Sequence, residues 1–267
     1  MNRIEPGPFP ESGIQTLDRS TLLVELVARA GTRGMTAAEL EEASGFSLAT
    51  IYRLAQALKR LGMLRQLCNR GPYLLGHQLI VWGSAAGQSQ QLKRIARAPL
   101  EQLAQQFDDS FFLFVPDGFN VLCLDIQDGS HPARSYVTDL GNRIRHGLGQ
   151  ASIAILSQMD AAEYEQVLAQ NLPGLMRNYG IHRFEVDQAV AMCRQLGVTG
   201  GVEGRQPPEF TGLASPIIGP DGTAVAALSC SLLRSRLTDS HYAALCDGLR
   251  QHSLAISQQL NSDADVS

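Results

Sequence analysis

An α+β chain in two parts is what this sequence predicts, and three observations carry it. A run of helix caps and stops lies between residues 14 and 76. After Asp108 the apolar spacing changes from a helical period to a period of two. Residues 43–100 carry eight basic side chains and no acidic one, in a chain with 26 Asp and Glu and a net charge of −4.

The first element is a helix over 17–30, with an apolar stripe of Leu17, Leu22, Leu23, Leu26 and Val27, stopped by Gly31 and Gly34. Thr36 and Glu39 have the spacing of a capping box, in which the hydroxyl accepts an orphan backbone N–H and the carboxylate reaches back. The short helix that follows ends near Ala43, before Gly45. Ser47 is placed to cap a third helix over 48–61 with Ile51, Leu54, Leu58 and Leu61 inward, and Gly62 stops it. Met63–Gln66 and Tyr73–Leu75 read as a hairpin whose tip is Leu67 to Pro72. Helix, helix, turn, helix, hairpin is the plan of a winged helix-turn-helix, predicted over 14–76. A single helix fits the major groove of DNA, so the third helix is expected to present Ser47, Thr50, Tyr52 and Arg53 to bases and phosphates. Thr36, Arg65 and the hairpin-tip Arg70 complete the expected DNA-facing set.

Residues 77–107 read as connecting and dimer-forming helices with breaks near Gly83, Gly87 and Pro99, and with Trp82 and Phe107 as interface or core anchors. Residues 108–260 read as the second domain. Its strands are expected at 111–116, 121–127, 133–137, 213–218 and 223–233, with Asp117-Gly118 and Gly219-Pro220-Asp221-Gly222 as turns. Helices are expected at 150–158, 160–170, 184–196 and 238–260, with a frayed end after Asn261.

Composition removes several function classes. The longest apolar runs, such as Ile80-Val81-Trp82, are far too short to span a bilayer, so no membrane partner is expected. The Pro/Gly-rich start lacks the apolar segment of a secretion signal and reads as a floppy tail. The five cysteines are scattered and never form CxxC, which fits reduced cytoplasmic thiols. The six histidines never pair at i,i+4, and none has ligand spacing to a cysteine, so neither a metal nor another cofactor is expected. The charge is the informative part. Residues 101–267 hold ten basic and nineteen acidic side chains, so the acid-free 43–100 stretch is a polyanion-binding face attached to an acidic body.

Three stretches resemble the IclR family of bacterial regulators, across about residues 14–260. They are TLDRSTLLVELVARAGTRGMTAAELEEASGFSLATIYRLAQALKRLGML in the winged-helix part, RHGLGQASIAIL at 145–156, and GLASPIIGPDGTAVAALSCSLLRSRLT at 212–238. The resemblance implies a C-terminal GAF-like α/β effector-binding domain, a homodimer or homotetramer, and transcription controlled by a small metabolite, often an organic acid. It carries the family's pocket positions onto Gly149, Gln150, Ala151, Ser229 and Ser231. Departures are also visible. The acidic pocket residue of glyoxylate-type members corresponds to Gly201, the neighbouring cysteine to Gly212, and a common lysine to Ile153. In the DNA-binding part, Leu48-Ala49 replaces the common Lys-Ser. Glu41 stands where helix-turn-helix motifs want a small residue, which requires it to tilt toward solvent.

The residues themselves point to a second group. Arg145 and His146 precede a Gly-rich turn into a helix, and a helix start with a bidentate arginine is a candidate carboxylate site; a surface pair is the plainer alternative. Strand alternation puts Ser229 and Ser231 on one face, as hydrogen-bond donors to a ligand or as ordinary strand serines. No positioned base accompanies them, so no catalytic residue is expected. The expected function is a sequence-specific operator-binding regulator, with repression as the expected sign. The alternative is a metabolite-binding protein or an enzyme acting on a small carboxylate, whose N-terminal helices only dimerise.

Overall fold

A computed structural model describes residues 12–85, 87–131, 138–200 and 209–264. The chain resolves into two compact units that meet in sequence between Gln90 and Gln91.

In the first unit, α1 (Gln15–Arg29) buries Leu23 and Val27. Leu17 and Leu22, expected in that stripe, are exposed, because they lie about a third of a turn away from the Leu23–Val27 line. A short 3-10 turn (Gly31–Arg33) leads to Gly34 at φ +67°. A Cβ on Gly34 would lie 2.3 Å from the Tyr73 carbonyl oxygen, so only glycine lets the chain pair Met35 with Tyr73 here. Thr36 caps α2 (Ala37–Ser44): its hydroxyl accepts the Glu39 N–H, and the Glu39 carboxylate accepts the Thr36 N–H at 2.7 Å. Gly45 ends α2 in the left-handed region.

Ser47 then caps α3 (Leu48–Arg60), whose inner face is Ile51, Leu54, Ala55 and Leu58. Leu61, expected inward, is the residue at which α3 ends and is exposed. The hairpin β1 (Leu64–Gln66) and β2 (Tyr73–Leu75) pairs Leu64 with Leu75. Leu23, Leu40, Ile51, Leu64 and Tyr73 share one core with these elements. The helix α4 (Gln78–Ala85) runs through Gly83 without a break and buries none of its residues; Trp82, expected as an interface or core anchor, is exposed and so is not in the core.

The helix α5 (Gly87–Phe107) also continues through its expected break, at Pro99. A proline inside a helix removes one hydrogen bond. That loss is offset by the buried stripe Leu92, Ile95, Ala96, Leu100, Leu103 and Phe107. Beyond it, β3 (Ser110–Asp117) and β4 (Asn120–Gln127) form the expected hairpin. A short strand that the sequence reading did not include, β5 (Arg143–Arg145), pairs with Asn120–Leu122 at the sheet edge. The strand expected at 133–137 lies outside the described residues.

The helices α6 (Gln150–Leu156), α7 (Ala161–Tyr179) and α8 (Arg183–Leu196) follow. The expected end of α7 at 170 is corrected: it runs past Pro173 and Gly174, held by buried Val167, Leu168, Asn171 and Leu175. The strands β6 (Phe210–Ile218) and β7 (Ala224–Leu233) complete an antiparallel sheet of order β5-β4-β3-β7-β6. After a second 3-10 turn, α9 (Asp239–Ala264) closes the unit and extends past Asn261.

Alternation divides the sheet between two cores. Phe112, Phe114 and Ala214 face the core that contains α6, α7 and α8 residues. Phe111, Leu113, Leu213 and Leu228 face the core that contains α5 and α9 residues. The unit is α+β, with helices on both faces of one sheet.

Candidate DNA interface and ligand cavity

The recognition helix is built by local chemistry. The Ser47 hydroxyl accepts the Thr50 N–H at 3.4 Å and lies 3.1 Å from the Thr50 hydroxyl. A second cap comes from α2, where Glu41 Oε1 accepts the Leu48 N–H at 3.2 Å. The tilt of Glu41 is therefore toward the start of α3, a contact that the sequence reading missed. With one face of α3 in the core, the opposite face exposes Ala49, Tyr52, Arg53, Gln56 and Arg60. At 13 residues the helix is about 20 Å long, enough to lie along a major groove.

The other expected DNA-facing residues divide by what their side chains already do. Thr36 is committed to its capping box. The Arg65 Nε donates to the Leu75 carbonyl at 3.1 Å across the hairpin. Arg70 stands exposed at the hairpin tip with φ +63°. Lys59 Nζ donates to Gln66 Oε1 and Gln66 Nε2 to the Gly71 carbonyl, each at 2.7 Å, which ties α3 to the hairpin. Gln56, which sequence reasoning did not single out, is exposed on the same face three residues after Arg53.

In the second unit a cavity opens between the sheet and the start of α6. Phe112 and Phe114 of β3, Val121 of β4 and Ile144 of β5 form its apolar wall. Leu148, Gly149, Gln150, Ala151 and Ser152 enter from the start of α6, with Thr138, Phe210–Gly212 and Ser229–Ser231 on the remaining sides. The positions open to a water centre fill about 100 Å³, many times the ~10–15 Å³ that one water needs. Ser229 and Ser231 both border it, while the Cys230 side chain belongs to the opposite core. Gly212 brings its backbone close: a Cβ there would lie 2.3 Å from the Cys230 carbonyl oxygen.

Two features set the chemistry of this space. The Gln150 side-chain amide is buried, and among the described residues neither its oxygen nor its nitrogen has a hydrogen-bond partner; a polar group left so costs about 1–3 kcal/mol. Among the described lining residues there is no lysine, arginine or histidine.

Arg145 and His146 are not among the described residues that line the cavity. Arg145 ends β5 as an exposed residue, with its guanidinium next to Gly174 of α7. His146 turns inward and is fully buried, and among the described residues neither ring nitrogen has a hydrogen-bond partner; burial pulls its pKa down to about 4. Ile153, at the lysine position of the resemblance, is a core residue, and Gly201 lies outside the described residues. Among the described residues no group of three or more His, Cys, Asp or Glu side chains is placed to hold a metal. No described helix is long and apolar enough to cross a membrane.

Comparison with known proteins places both units. The IclR helix-turn-helix domain matches residues 16–67. The C-terminal domain of the bacterial transcriptional regulator IclR matches residues 84–258. The chain is 23% identical over 261 residues to the HTH-type transcriptional regulator XynR of Escherichia coli, covering 94% of this chain and 99% of XynR. It is 23% identical over 232 residues to the HTH-type transcriptional regulator KipR of Bacillus subtilis, covering 85% of this chain and 90% of KipR. Among solved structures, an IclR homologue from Microbacterium hydrocarbonoxydans complexed with 4-hydroxybenzoate superposes with a TM-score of 0.73 at 20% identity, over 92% of this chain and 99% of that one. At that identity the structural likeness shows the fold. The curated relatives are transcriptional regulators, which sets the enzyme alternative aside. Matched over both of its units, the chain belongs to the IclR family of bacterial transcriptional regulators, and it is a DNA-binding regulator.

Proposed function

We propose that the protein is a homo-oligomeric repressor whose operator affinity is set by a small organic acid bound in the cavity between the sheet and α6. The observation that carries this reading is the Gln150 amide, buried and without a partner among the described residues, beside a cavity walled by Phe112 and Phe114. A ligand with polar atoms at one end and an apolar body satisfies both. The Microbacterium homologue, complexed with 4-hydroxybenzoate, supports a ligand of that size and class. With no cation among the described lining residues, a carboxylate would be held by neutral donors, the Gln150 amide and the Ser229 and Ser231 hydroxyls.

On the DNA side, Tyr52 and Arg53 of α3 would meet the major groove, and Arg70 the flanking backbone. Homo-oligomerisation is supported by α4, whose Ile80, Val81 and Trp82 are all exposed; a second copy covering this helix would present two recognition helices to a roughly palindromic site.

The test begins with genomic fragments retained by the purified protein. Affinity for a retained duplex is then measured with and without 4-hydroxybenzoate and related small acids. One acid is expected to change it by about 5–150-fold, and Gln150→Leu and Ser229→Val are expected to abolish the change while leaving duplex binding intact. An acid effect that survives both substitutions would place the effector elsewhere.

A further inference from the structure

The exposed face of α3 is narrow. Tyr52, Arg53, Gln56 and Arg60 recur at helical spacing, while Ile51, Leu54, Ala55 and Leu58 fill the opposite side. Sequence reasoning gave Tyr52 and Arg53 a role there and none to Gln56. Its side chain is exposed and, among the described residues, makes no hydrogen bond. Gln66 offers the contrast, because its amide is bonded at both ends, to Lys59 and to Gly71. Gln56 is therefore available to an outside partner where Gln66 is not.

A primary amide presents one donor and one acceptor side by side. In the major groove, adenine shows the matching pair: N7 accepts and the N6 amino group donates. Gln56 follows Arg53 by three residues, about 4.5 Å along the helix axis, close to the ~3.4 Å step between base pairs. Arginine pairs in bidentate fashion with guanine O6 and N7. On a helix lying along the groove, the two side chains would stand over neighbouring or next-neighbouring base pairs.

We propose that Gln56 is a specificity-determining residue that reads an adenine one or two base pairs from a guanine read by Arg53. The inference rests on α3 being the helix that enters the groove, and it extends that reading by assigning a base to a residue.

The experiment is selection and sequencing of bound duplexes from a random pool, using the full-length protein, Gln56→Ala and Gln56→Glu at one salt concentration. A salt titration on the preferred duplex and on a non-specific duplex accompanies it. Wild type is expected to enrich an A·T pair within two steps of a G·C pair. Gln56→Ala is expected to lose about 5- to 150-fold of discrimination at that A·T pair alone, the range that 1–3 kcal/mol represents. Its salt slope and non-specific affinity stay unchanged, because no charge is removed. Gln56→Glu is expected to shift the preference at the same position toward C·G, since a carboxylate accepts from the cytosine N4 amino group.

Both replacements keep the helix, alanine and glutamate being strong helix formers, and circular dichroism checks this. An unchanged motif in both variants, or a uniform loss over all duplexes, would overturn the role of Gln56. A wild-type protein that binds duplex but enriches no sequence would instead overturn the base-reading function of α3 itself.

Discussion

The carboxylate of Glu41 accepts the backbone N–H of Leu48 at 3.2 Å, so an acidic side chain from α2 sits on the first turn of the recognition helix. It is the acidic residue nearest in sequence to the acid-free stretch on that side after Glu42, and it stabilises a helix start that would otherwise attract phosphate. Replacing Glu41 with alanine is expected to lower stability by about 0.5–1 kcal/mol through loss of this cap. The same change is expected to raise affinity for any duplex several-fold at low salt, because a negative charge leaves the interface. Urea unfolding and duplex titration measure the two effects; weaker duplex binding by a folded variant would count against this role.

Arg53 is exposed on α3 and carries an unshared positive charge among the described residues. Arg53→Ala is expected to weaken binding to the preferred duplex and to reduce the salt-dependence slope by about one, the signature of one lost cation–phosphate or cation–base contact. Thermal melting should be unchanged. An unaltered slope together with unaltered affinity would remove Arg53 from the interface.

In the second unit, the buried carboxylate of Asp109 is held by Arg236 at 2.8 Å and by His241 at 3.1 Å. Arg236 also donates to the Phe107 carbonyl at 2.9 Å, linking the end of α5 to the turn before α9. Arg236→Leu is expected to cost about 2–4 kcal/mol, because it leaves a buried charge short of its partner. The double variant Arg236→Leu with Asp109→Asn should recover part of that loss, since the charge that needed a partner is gone. Chemical denaturation of Arg236→Leu, Asp109→Asn and the double variant tests it; additive losses would show that the pair acts independently.

His146 contributes a pH dependence with a definite sign. Its folded pKa is about 4 against an ordinary value of 6.5, because burial disfavours the imidazolium. Between those values the unfolded chain binds the extra proton, so stability falls as pH drops from about 6.5 toward 4 and is full above 6.5. The effect is on the order of 2–3 kcal/mol across that window. Stability curves of the wild type and His146→Gln should differ in slope there, and parallel curves would show that His146 is not the group responsible.

The winged half was legible because its signals are local. Thr36, Gly45, Ser47 and Gly62 each act on backbone groups within about four residues, so caps and stops could be read in order from the residue types alone. The errors in that half, Leu17, Leu22 and Leu61, share one cause. Apolar periodicity says which residues can be buried, whereas burial requires a neighbour to cover them. In the second unit, β3 and β4 were readable through the Asp117-Gly118 turn. The short edge strand β5 had no such signal, because its three residues become a strand only by pairing with Asn120–Leu122.

The same division holds for function. By itself the sequence determined the order of the helices and hairpin of the first unit, the acid-free basic stretch, and the shared face of Ser229 and Ser231, since these follow from caps, charge and a period of two. Only the tertiary structure decided that Phe112 and Phe114 wall the cavity, that Gln150 is buried beside it without a partner among the described residues, and that His146 turns into the core. These depend on strands far apart in the chain meeting, as β3 does with β7. Such pairings are chosen by burial summed over a whole core, which no stretch of a few residues contains.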